Sequence, residues 1–200
     1  MVRDKYMLWI FLTCLLLTLI LYPYLPYSIA VHWNQDSEPN EFVRKQIVVF
    51  LIPCFIIVFH SLLYIISRYI LKMNRGNQTI IIEFKTNITV FLLFIHMLVL
   101  FIALGMMVPF QIGLTIGISV FLFMTSKSFK KMGKEKEPVP LQKICLLGQR
   151  VFYSMACMCL CSLFLKLEWG LYVLMSIICC GSIFFLFGIL YSYLLANYET

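Results

Sequence analysis

Between Ile88 and Met124 the chain carries no Asp, Glu, Lys or Arg, an interval of about 37 residues. A bilayer core about 30 Å thick is crossed by roughly 20 apolar residues in helical form, so this interval is too long for one span and just long enough for two short ones. Backbone groups in lipid have no water to bond and must be paired within the segment, which leaves helices or a closed barrel. The period-2 alternation of barrel strands is not seen, so the fold class is all-α, a polytopic transmembrane helical bundle. Gly105 and Pro109 mark the turn that divides the interval. If they only kink one long helix, the span count falls by one and the C-terminus changes side.

The rest of the chain fits that class. It is 62% hydrophobic and 12% charged, with mean hydropathy +0.94, against an apolar share of roughly 45 to 50% in soluble domains. Helices are expected near residues 6–24, 46–67, 87–107, 109–125, 149–166 and 169–195, about six in all. With the N-terminus inside, 13 of the 16 lysines and arginines fall on the cytoplasmic side. That positive-inside bias favours six spans with both termini inside, and it places Tyr22 to Asn40 outside. The two inner loops are Asn74 to Thr86, the start of the third helix or an interfacial strand, and Thr125 to Gln149, where Pro138 and Pro140 argue against one continuous helix.

Tyr22 to Asn40 (YPYLPYSIAVHWNQDSEPN) is the conspicuous interruption. Pro23 and Pro26 remove backbone donors and fix φ, so the first helix stops near Tyr22 and the chain continues extended. Tyr22, Tyr24, Tyr27 and Trp33 are amphipathic rings suited to a membrane-water boundary. As a recognition surface, the segment would use Trp33 and the tyrosines as an apolar face, with His32, Asn34 and Asp36 as directional hydrogen-bonding groups. The plainer reading is a turn whose aromatics anchor it to the interface.

The pattern Tyr22-Pro23, Leu25-Pro26, Ile29, His32-Trp33-Asn34, followed by Arg44-Lys45 and by Pro53 inside the next helix, resembles the N-terminal module of the SdpI-type bacteriocin-immunity membrane proteins, domain of unknown function 1648. Ala30 stands where that pattern has proline, Asp36 or Ser37 where it has glycine, and Asn40 where it has aspartate. The resemblance covers roughly residues 7–75; the Thr125 to Gln149 stretch shows no clear counterpart of the family's second half. It implies defence against an exported peptide toxin and, in some members, capture of a cytoplasmic repressor. The expected organisation is an N-terminal two-helix module at 1–75 and a four-helix membrane region at 76–200.

His60 and His96 are ionisable groups inside spans, which raises a functional hypothesis by itself. Counting rise per residue puts them about 10 Å and about 14 Å from the inner ends of consecutive antiparallel helices, so an intramembrane polar pair is open to them. The alternative is two neutral histidines, each satisfied by a hydrogen bond between helices. Cys157 and Cys161 share a helix face while Cys159 points away, so three soft ligands do not converge and no metal is expected. The basic run Lys127, Lys130, Lys131, Lys134 and Lys136 is an inner patch for anionic lipid or an acidic cytoplasmic regulator.

No Walker loop, HExxH, GxSxG or intramembrane carboxylate pair occurs, so no enzyme, catalytic residue or cofactor is expected. Net charge +7 reports membrane topology rather than nucleic-acid binding. The reading is a multi-pass bacterial plasma-membrane protein for immunity to, or sensing of, an exported antimicrobial peptide. A small transporter or channel component built around His60 and His96 is the alternative.

Overall fold

The computed structural model describes residues 2–34, 36–66, 78–132 and 139–198. Among them are six α-helices: α1 (Val2–Leu21), α2 (Lys45–Ile65), α3 (Gln78–Ala103), α4 (Phe110–Met132), α5 (Val139–Ser162) and α6 (Leu167–Tyr198). A two-stranded antiparallel sheet, β1 (Ser28–Trp33) and β2 (Pro39–Arg44), joins α1 to α2. The helices α2 to α6 each hold a stretch long and apolar enough to cross a bilayer, and α1 with the short turn after it holds the shorter apolar stretch Phe11–Tyr24. The molecule is an all-α membrane bundle carrying one hairpin.

Helix ends follow local chemistry. A 3-10 turn, Tyr22–Tyr24, carries Pro23 in its first positions, and Leu25 then turns extended ahead of Pro26. Gly105 sits at φ 97°, a conformation open to glycine, and Pro109 precedes α4, so the uncharged interval is two helices. The helix α3 starts at Gln78, nine residues before the expected 87, so the Ile80-Ile81-Ile82 run is helix rather than strand. Likewise α5 starts at Val139, before the expected 149, with Pro140 in its first turn, where a missing N–H costs no intrahelical bond. The helix α4 continues past 125 to Met132; Lys130 and Lys131 in its last turn oppose the negative end of its dipole.

The chain forms two compact units, Met1–Gly117 and Ile118–Thr200, with the boundary inside α4. The first unit contains the sequence-defined module at 1–75 and continues through α3, because α3 supplies part of its core. Cys14 of α1, Ile56 of α2 and Leu93 of α3 pack together, and at the hairpin end Leu25, Ile29, Val48, Val49 and Leu100 form a second cluster. Cβ atoms built on Gly113 and Gly117 would fall 2.6 Å from Leu98 Cδ2 and Phe94 Cε1. The Gly-xxx-Gly spacing on α4 therefore admits the large side chains of α3, the small-residue logic of helix packing in lipid.

In the second unit, Leu122, Val151, Met155, Cys159, Leu174 and Ile177 share one core. Phe129, Phe152 and Phe185 form an aromatic triad with centroid separations of 5.2 to 5.4 Å. Cys159 is buried there while Cys157 and Cys161 are exposed, and all eight cysteines are free.

Candidate functional site

The hairpin is assembled by Asn34. Its side-chain Oδ1 accepts the backbone N–H of Asp36 at 3.1 Å and of Glu38 at 2.8 Å. Its backbone N–H donates to the Glu38 carbonyl at 2.9 Å, and its own carbonyl accepts from Ser37 N–H at 3.1 Å. An asparagine at the start of a tight turn mimics a backbone turn with its side chain, and here that role occupies Oδ1 twice. Nδ2 donates to Glu38 Oε2 at 3.3 Å. Ser37 stands at φ 60°, where the family pattern has glycine near this point, and its Oγ accepts the Gln111 N–H at 3.4 Å.

The strands carry the remaining conspicuous residues. His32 Nδ1–H donates to Asn40 Oδ1 at 2.6 Å across the hairpin. A register irregularity between Ala30 and His32 leaves Val31 out of the ladder. Trp33 stacks on Phe110 at the start of α4, centroids 3.9 Å apart and planes within 8°. Lys45 reaches back to donate to the Tyr22 and Leu25 carbonyls at 3.1 and 3.0 Å, with its ammonium 4.6 Å from the Tyr22 ring centre. These carbonyls flank the proline-bounded turn, and one lysine satisfies both.

The structure therefore gives the predicted residues unequal roles. Asn34, His32, Trp33 and Tyr22 are engaged within the fold, while Pro23 and Asp36 are exposed. Pro26 lines a cavity of about 340 Å³ beneath the hairpin, whose walls include Ile29, Trp33, Phe42, Ile102 and Phe110. The apolar side chains facing out are Tyr24 (75% exposed), Tyr27 (64%), Phe42 (58%) and Val31 (42%). Phe42, Val31 and Phe110 were not singled out by sequence. The alternating β-branched run Ser28 to Trp33 was the signal for β1; Phe110 has no local signal, because its role is set by a tertiary contact.

His60 and His96 show one motif twice. Thr89 donates its hydroxyl to the Lys85 carbonyl at 2.8 Å, and His60 Nε2 lies 2.6 Å from that hydroxyl oxygen. Thr18 donates to the Cys14 carbonyl at 2.8 Å, and His96 Nε2 lies 3.0 Å from it. Each threonine has spent its only proton on its own helix, so each must accept from histidine Nε2–H. The motif joins α2 to α3 and α3 to α1. The histidines do not meet: Thr89 and His96 are seven residues apart on α3, about 10 Å of rise.

Of the basic patch, Lys127, Lys130 and Lys131 are exposed along the end of α4, with the Lys127 ammonium 4.5 Å from the Phe123 ring centre. Lys134 and Lys136 lie outside the described residues. Among the described residues no three His, Cys, Asp or Glu side chains are grouped to hold a metal ion.

Residues 9–57, from α1 through the hairpin into α2, match the domain of unknown function DUF1648. Over 129 residues, 64% of this chain, the sequence is 26% identical to the protein named Immunity protein SdpI of Bacillus subtilis (strain 168). The match spans 60% of that relative's length. No solved structure matches the chain. With its multiple apolar helices, the chain is an integral membrane protein that carries the DUF1648 module and is related in sequence to SdpI-type immunity proteins.

Proposed function

We propose that this chain is a bacterial plasma-membrane immunity protein whose outer hairpin binds an exported, membrane-active peptide. One observation carries the reading: the hairpin, braced by the Asn34 turn and the Trp33–Phe110 stack, leaves Phe42 exposed on the wall of the 340 Å³ cavity, with Tyr24 and Tyr27 exposed ahead of β1. Aromatic side chains on a rigid frame bind at low entropic cost, and large apolar groups left exposed outside a membrane-spanning segment suit an interaction site. Similarity to a protein named for immunity supports the same reading.

Within it, His32, Trp33, Asn34 and Tyr22 shape the platform and Pro23 and Pro26 aim it. Asp36 lies at the tip, available to a cationic group on the peptide. The basic end of α4 at Lys127, Lys130 and Lys131, continuing in sequence to Lys134 and Lys136, would face the cytoplasm and receive an acidic regulator. Binding outside would protect by holding the peptide before it inserts.

The test is survival of a sensitive bacterial host expressing the chain, challenged with a panel of membrane-active bacteriocins. Wild type should protect against at least one toxin, and Tyr24→Ala/Phe42→Ala at equal membrane level should lose at least tenfold in protection. Survival no better than the empty host across the panel, or full protection by the double variant, contradicts the reading.

A further inference from the structure

A second cavity, of about 300 Å³, opens among α1, α2 and α3, away from the hairpin; its lining includes Leu8, Phe11, Ile57, His60, Ser61 and Lys85. Its polarity is graded along the helices. Lys85 lies seven residues after the start of α3 at Gln78, about 10 Å along it, and His60 five residues before the end of α2 at Ile65, about 8 Å from that end. Phe11 and Ile57 line it further into the span. Among the described residues the Lys85 ammonium has no hydrogen-bond or ion-pair partner, although the side chain is half-buried. Of its lining, the apolar Leu8 (57%) and Ile57 (55%) are exposed.

We propose that this cavity binds an anionic phospholipid, its phosphate on Lys85 and one acyl chain against Phe11 and Ile57; His60 and Ser61 line the polar end with their protons given to Thr89 Oγ1 and the Ile57 carbonyl. A cation at headgroup depth, continuous with an apolar groove open to the bilayer, has the layout of that molecule. A water-soluble anion would leave the groove unfilled and an uncharged lipid would leave the ammonium uncompensated. The sequence charges place this end of the bundle on the cytoplasmic side, the leaflet where basic pockets between spanning helices meet anionic headgroups. The lipid would bridge α2 and α3 at the level of the His60–Thr89 bond.

The experiment is native mass spectrometry of the full chain released from detergent, titrated with phosphatidylglycerol or with phosphatidylcholine of the same acyl chains. Wild type should retain phosphatidylglycerol about fivefold more tightly, the increment of one lysine near an anionic headgroup. Lys85→Gln should erase the preference, Lys85→Arg should keep it, and Lys166→Gln, at an exposed position away from both basic sites, should leave it unchanged. Ile57→Trp, a change at a lipid-exposed position, should weaken both lipids by filling the groove.

An undiminished preference in Lys85→Gln, or equal retention of the two lipids by wild type, overturns the proposal. So does displacement of the lipid by inorganic phosphate alone, which would leave only an anion site. Lys85-dependent binding of an acidic peptide lacking an acyl chain, in place of the lipid, also overturns it. Because the hairpin takes no part, loss of toxin protection and loss of this preference are separable results.

Discussion

The hairpin and the bundle beneath it handle polar and apolar side chains in opposite ways. In the bundle, Phe55, Val58 and their like are exposed because lipid is an adequate solvent for them, while His96, Thr18 and Thr89 are turned inward, His96 bonded to Thr18 and Thr89 to His60 across helices. In the hairpin, Asn34 and His32 bond within the turn and across the strands, and Tyr24, Tyr27, Val31 and Phe42 are left outermost. The polar residues that draw the eye in the sequence are therefore largely committed to structure in both regions. Exposed apolar groups carry information only where the surroundings are water; in the proposed function, which puts the hairpin outside the bilayer, its aromatic face stands out and the larger apolar face of α6 does not.

Perturbations that break this contrast rank by what each removes. Trp33→Ala takes away the stack on Phe110 and opens the cavity, at a cost of about 3 kcal/mol. Thermal unfolding of the purified chain in detergent reads the loss, and a double-mutant cycle with Phe110→Ala should return a coupling of about 1 kcal/mol. Asn34→Ala removes two side-chain bonds of an exposed turn, whose N–H groups water then takes, and should cost about 1 kcal/mol. Hydrogen exchange would rise across residues 28–44 while the helices stay protected. Asp36→Asn, three bonds fewer in its role, should leave exchange unchanged.

Ser37→Val forces a β-branched side chain into the left-handed region and removes the contact to Gln111 N–H, for about 1 to 2 kcal/mol. Ser37→Asn, a residue tolerant of that conformation, should be close to neutral in the same assay. The smallest effects belong to the bundle. Thr18→Val and Thr89→Val each delete a bond between helices, which in membranes averages about 0.6 kcal/mol. Unfolding midpoints in mixed detergent should shift slightly and additively, since the two bonds lie about 10 Å apart along α3. A shift as large as that of Trp33→Ala would mean that the histidines hold the bundle as the stack holds the hairpin.

Much of the fold was legible because the bilayer sets hard limits on length and backbone pairing. Gly105 and Pro109 divide α3 from α4 as the uncharged interval requires, and Pro23 ends α1 where its missing donor demands. Helix starts were less legible: α3 and α5 begin about ten residues before the starts that hydropathy predicts, because interfacial helix needs no hydropathy to form once it is nucleated by a span. In the hairpin, prolines and aromatics signal only an extended segment, while the strand signal lies in the alternation of Ser28 to Trp33. What sequence alone could not supply is partnership. That Trp33 meets Phe110, and that His60 and His96 each choose a threonine over each other, is decided by the packing of α1, α2, α3 and the start of α4 within the first unit.

The central claim is that peptide contacts the hairpin's aromatic face, and site-specific photo-crosslinking tests it most directly. A benzophenone amino acid placed at Phe42, and in a separate strain at the lipid-exposed Phe187 of α6, would be irradiated in cells challenged with the bacteriocin against which the wild type protects. The account predicts a covalent peptide adduct at Phe42 and none at Phe187. Protection with no adduct at Phe42, or adducts of equal yield at both positions, would contradict it.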